Sequence, residues 1–146
     1  MENKSAEIAK IAIKMALSTR EEENRLNEKY EKYKIKTTAI DIGGKLPNII
    51  PKIIENTLVA SKRKHIIQDC HVHDGAVAGA IREAIAQVMS KTNGLSVGGK
   101  IGIARNEEHI SIAVFFSIGL LHLNEVVTAV AHRSIPILEG EIWSDK

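Results

Sequence analysis

The sequence predicts an α+β fold with the element order ααβααβββ: helices packed on a mostly antiparallel sheet of about four strands. Three observations carry this reading. The stretch Gly94–Pro136 holds two apolar runs, Ile101–Ala104 and Ile110–Ile118, on either side of the polar turn Arg105-Asn106-Glu107-Glu108, which is a hairpin signal. A further β-branched run, Val126–Ala131, supplies the next strand. The N-terminal part repeats apolar residues at helical spacing in four segments.

Composition bounds the rest. Hydrophobic residues make up 44% of the 146 and aromatic ones only 3%, so one domain over residues 1–146 builds its core from Ile, Val, Leu and Ala. Many small residues then allow backbones to approach closely. A net charge of +2 does not by itself mark a nucleic-acid binder, although positive charge is clustered in Lys62-Arg63-Lys64-His65. One cysteine, Cys70, excludes an internal disulfide and suits a reducing cytoplasm. Glu2, Lys4 and Glu7 interrupt any apolar leader, and no run approaches the roughly 20 residues of a membrane span. These features lead us to expect a cytoplasmic protein.

Taken in order, Ser5–Leu17 places Ile8, Ile11, Ala12, Met15 and Ala16 on one helical face. Ser18-Thr19-Arg20-Glu21-Glu22 carries an N-cap pattern, and the charged segment Thr19–Tyr33 reads as a second helix held by Leu26, Tyr30 and Tyr33. Ile35–Ile42 is β-rich and reads as a strand closed by Gly43-Gly44. Pro51 suits the first turn of a third helix, with Ile53, Ile54, Thr57, Leu58 and Ser61 inward and Lys62–Lys64 at its end. That basic run either complements the helix dipole or contacts phosphate. Asp74 is a plausible N-cap for a fourth helix reaching Lys91, with Thr92-Asn93-Gly94 as its stop. Gly79 inside this helix costs roughly 1 kcal/mol relative to Ala, so it signals close packing on another helix or subunit, room for a ligand, or simple tolerance. Ile135-Pro136 begins a tail containing Trp143.

Several polar residues are candidates for chemistry. His71-x-His73 would converge on one face of a strand and reads as a partial metal site. His122 and Glu125 lie three apart among apolar neighbours, where buried polar groups need partners. Ser96-Val97-Gly98-Gly99-Lys100 lacks the Walker spacing, and the serines show no nucleophile elbow. Cys70 beside His71 and His73 would act as a thiol nucleophile only with a histidine aligned in space and a third group orienting it.

The element order and particular segments resemble the HutP family. Ile66-Ile67-Gln68, then Ala76, Glu83 and Ala84, match the approach to its fourth helix and that helix; Lys100–Arg105 and Ile110–Gly119 match its hairpin; Leu121-His122 matches its metal-binding histidine segment. The resemblance spans about residues 5–135 and implies an RNA-binding antiterminator of bacterial histidine-utilisation operons. It further implies a hexamer switched by L-histidine and a divalent metal such as Mg²⁺. Two metal-binding histidines of the family align with Gly75 and Gly79, so any retained metal site would combine His122 with His71 or His73. His122, Glu125 and Arg105 are then the candidate effector contacts, and Lys62, Arg63, Lys64 and Lys100 the candidate contacts to single-stranded RNA. The alternative class is a small-molecule-binding protein or enzyme with an intersubunit site near His122 and no RNA affinity.

Overall fold

The computed structural model describes residues 4–92, 96–118, 123–130 and 133–137. Helix α1 (Lys4–Leu17) buries Ile8, Ile11, Ala12, Met15 and Ala16, as the spacing predicts. Helix α2 (Arg20–Glu31) starts on Thr19. The Thr19 hydroxyl accepts from the Glu22 N–H at 3.2 Å while the Glu22 carboxylate accepts from the Thr19 N–H at 3.3 Å. This reciprocal capping box satisfies two orphan donors. Bonds from the Thr19 side chain, then its backbone, hold the Glu22 carboxyl below its ordinary value.

Strand β1 (Lys36–Lys45) runs antiparallel to β2 (Ser96–Arg105) over its whole length. Gly43 and Gly44 therefore lie inside the strand, opposite Gly98 and Val97, and do not close it. The partner strand is long enough to pair their backbone groups, which overrides the local turn signal. Helix α3 (Leu46–Arg63) follows at once. Pro47 takes the first turn, where its missing N–H is harmless, and Pro51 sits further inside the helix than expected. Ile53, Ile54, Thr57 and Ser61 are buried on its inner face.

Helix α4 (Asp74–Thr92) buries Val77, Ala80, Ile81, Ala84, Ile85 and Val88, a continuous stripe at helical spacing. Strands β3 (Ile110–Ile118), β4 (Leu123–Val130) and β5 (Arg133–Ile137) complete a five-stranded sheet in the order β1-β2-β3-β4-β5, every neighbour antiparallel. The fifth strand falls in what reads as tail because it contains Pro136. Among the described residues β5 is an edge strand, where a proline is tolerated.

Helices cover both faces of the sheet. Ile101 and Ile103 of β2 and Ile110, Ile112, Val114 and Phe116 of β3 point to α3 and α4. The alternate residues Ala104 and Ala113 face α1, together with Tyr30 and Ile35. This second face is thin. A Cβ on Gly102 would lie 2.1 Å from the Ala12 carbonyl oxygen and 2.4 Å from the Ala16 nitrogen, so the backbones of α1 and β2 are nearly in contact. The Ala-rich composition is what permits that approach.

Gly102→Ala should consequently destabilise the fold by about 2 kcal/mol or more, since neither backbone can move aside cheaply. A lowered urea midpoint, followed by far-UV circular dichroism, checks this.

Candidate functional site

Two helix ends converge on one buried charge. At the end of α2, Ile35 N–H donates to the Tyr30 carbonyl and Lys34 N–H to the Glu31 carbonyl, both at 3.0 Å. At the end of α3, Ile66 N–H donates to the Ser61 carbonyl at 2.6 Å and His65 N–H to the Lys62 carbonyl at 2.9 Å. Both are Schellman caps, and each puts a non-glycine residue in the left-handed region: Lys34 at φ 61° and His65 at φ 56°. The His65 turn aims its carbonyl at Arg105, the last residue of β2, whose Nη2 donates to it at 2.7 Å.

Arg105 is only 3% exposed. Nη1 donates to the Asn106 carbonyl at 3.2 Å and Nη2 also reaches the Asp69 carboxylate at 3.4 Å, while Nε has no partner among the described residues. Buried guanidinium costs free energy unless paired, so these three acceptors hold the charge in place. The hairpin below is fixed by Asn106, whose side-chain oxygen accepts from the Glu108 and His109 N–H groups at 2.9 and 2.7 Å. Arg105, Lys34, Lys36, Asp69, His71 and Glu107 are among the residues lining an open cavity of about 510 Å³.

The basic run sits beside this cluster. Lys62, Arg63 and Lys64 are all exposed at the α3 terminus. Lys62 Nζ pairs with Asp74 at 2.5 Å, tying α3 to the first turn of α4, whereas Arg63 and Lys64 have no ion-pair partner among the described residues. Lys100 is differently placed. Its side chain is 14% exposed, and Nζ donates to the Ser18 carbonyl at 2.8 Å and pairs with Glu23 at 3.6 Å. It fastens the α1–α2 junction to β2 and offers no free charge to a phosphate.

His71 and His73 go to different places. His71 lines the Arg105 cavity, and His73 lines a second one, of about 530 Å³, with Lys62, Cys70 and Asp74. His73, not Asp74, precedes the helix: its Nδ1 accepts from the Ala76 N–H at 3.1 Å. The expected strand geometry fails because the cap turns the chain between the two imidazoles. Among the described residues no group of three or more His, Cys, Asp or Glu is placed to hold a metal. Gly75 and Gly79, both exposed on α4, offer no ligating atom, so the donor set that the resemblance implies for a divalent ion does not fit here. His122 lies outside the described residues.

Glu125 pairs with Phe116, which pairs with Gly99, six residues along β2 from Arg105. At about 3.3 Å per residue, roughly 20 Å of sheet separates the two positions, so Arg105 and Glu125 share no cleft within one chain. Cys70 is half-buried, and burial pushes its thiol pKa up, which disfavours the nucleophilic thiolate. Sequence reasoning missed Asp69, the αL turns and the inward use of Lys100. An αL cap without glycine leaves no compositional trace. Among the described residues no helix is long and apolar enough to cross a membrane.

Arg105→Lys keeps the charge but cannot span three acceptors on separate segments. We expect it to cost about 2 kcal/mol by urea unfolding, leaving the His65 carbonyl and Asp69 without their shared donor.

No curated protein sequence matches this chain. A family model, HutP, matches residues 8–133. The match runs from within α1 through β4, including the hairpin and the strand β2 that carries Arg105, and on that evidence the chain belongs to the HutP family.

Proposed function

We propose that the protein is an RNA-binding regulator of the antitermination type, acting in the cytoplasm as a homohexamer and gated by a small molecule, with L-histidine the first candidate. The family match over residues 8–133 carries this reading. The exposed cations Arg63 and Lys64, without an ion-pair partner among the described residues, support it, because phosphate contacts dominate nucleic-acid affinity. A closed ring of copies would repeat a weak contact many times and gain through effective concentration. Gly79 supports assembly: it is exposed, and a Cβ there would meet nothing within 4 Å, so no contact among the described residues requires a glycine. A neighbouring subunit resting on this thin face of α4 would. Effector contacts that combine Arg105 with His122 or Glu125 would have to come from two copies.

Replacing Lys62, Arg63 and Lys64 together by Gln should weaken binding to single-stranded RNA similarly across sequences. It should also reduce the slope of log affinity against log salt by about 1–2. Filter-binding titrations over a salt series check this, and unchanged affinity and slope would remove the patch from the mechanism.

For the metal, the missing donors lead us to expect RNA affinity that is unaffected by EDTA. Calorimetry with Mg²⁺, Mn²⁺ and Zn²⁺ at millimolar concentration, L-histidine present, should give no specific heat. A heat signal abolished by His122→Ala, in a variant still folded, would instead establish a site built on that imidazole.

A further inference from the structure

Tyr33 is 69% exposed, the largest exposure of any large hydrophobic side chain among the described residues. Aromatic residues are only 3% of the chain, so an aromatic ring left in water calls for an explanation. The ring is also held on a rigid support. Tyr33 N–H donates to the Tyr30 carbonyl at 2.9 Å, and the following Schellman bonds lock Lys34 and Ile35 against α2. Its neighbour Tyr30 does the structural work of this turn, buried beneath the helix with Lys29 Nζ 5.4 Å from its ring centroid. Tyr33 has no such role.

The turn itself is cationic, whereas the cavity beside it is also lined by the acids Glu31, Asp69, Glu107 and Glu108. Lys32 and Lys34 flank Tyr33, are exposed, and form no ion pair among the described residues. Lys36 follows at the rim of the Arg105 cavity. The acids Glu28 and Glu31 lie on the same turn of chain, leaving Lys29, Lys32, Lys34 and Lys36 in excess by two over residues 28–36. Across the cavity, Arg105 holds the carbonyl of His65, which follows directly on Lys62-Arg63-Lys64. The two basic helix ends thus border the same buried guanidinium.

We infer that the α2–β1 turn is a second RNA contact, in which Tyr33 stacks on an unpaired base while Lys32 and Lys34 take the adjoining phosphates. From there the RNA strand runs towards Arg63 and Lys64, its phosphates held by these flanking cations and kept off the cavity by Glu31, Asp69, Glu107 and Glu108. Any base offers a π-face to such a platform, and flanking cations on a fixed turn steer the backbone towards it. This inference rests on the RNA-binding reading above and adds to it a stacking platform at the α2–β1 turn, with Tyr33 as the residue that senses an unpaired base.

The test uses the full-length protein, with and without L-histidine, and a labelled pool of random-sequence single-stranded RNA, with a fully paired RNA duplex of the same length as control. Tyr33→Ala should weaken single-strand binding about tenfold with an unchanged salt slope, and leave duplex binding unaltered. Tyr33→Phe should bind as the wild type does, since the ring face and not the hydroxyl makes the contact. Sedimentation of Tyr33→Ala should match the wild type. If the wild type binds RNA and Tyr33→Ala binds equally well, the stacking inference fails and the RNA reading stands. If Phe is as weak as Ala, the contact is a hydrogen bond and stacking is refuted. A changed oligomeric state in Tyr33→Ala would make Tyr33 a subunit contact and overturn the inference. If the wild type binds neither RNA, both readings fall.

Discussion

The Arg105 guanidinium is the interaction on which the two basic helix ends of this molecule depend. Buried charge is tolerated only where acceptors surround it. Here they come from three separate segments: the α3 cap through the His65 carbonyl, the connection to α4 through Asp69, and the hairpin through Asn106. The left-handed turn at His65 is what presents that carbonyl. One side chain therefore fixes where α3 ends, and with it the direction in which Lys62, Arg63 and Lys64 project. The cavity beside it, lined by Lys34, Lys36 and His71 and by the acids Glu31, Glu107 and Glu108, is a consequence of the same arrangement.

The other end of the design is steric. Helix α1 lies so close to β2 that Gly102 has no room for a methyl group, and Lys100, two residues earlier, fastens the α1–α2 junction from below. With α3 and α4 packed on the opposite face, the sheet is clamped between two layers. The helix ends at Lys34 and His65 are thereby held in fixed relation across Arg105. Rigid supports of this kind suit binding by exposed turns, because little conformational entropy remains to be lost on contact.

Much of the fold was legible in the chain. The helical stripes of α1, α3 and α4, the Thr19–Glu22 capping box and the hairpin around Asn106 all carry local signals, and each formed as read. What was not legible depends on partners distant in sequence. Gly43-Gly44 stays in the sheet because β2 extends to meet it, and β5 keeps Pro136 because it lies at an edge. The site was less readable. His71 and His73 look like a pair until a helix cap takes one of them, and Lys100 looks like a surface cation until Glu23 and Ser18 draw it inward. Arg105 stood out by type alone; its partners could not be named from spacing. The turns at Lys34 and His65 lack the glycine that usually announces them.

The central claim is that this member of the HutP family recognises single-stranded RNA through charged turns around Arg105, under control of a small molecule. The most direct measurement is the affinity of the unmodified protein for a pool of random single-stranded RNA across a salt series, with and without L-histidine. The account predicts binding whose log affinity falls linearly with log salt and which tightens when the effector is present. Absence of RNA affinity at low salt, with or without L-histidine, would contradict it.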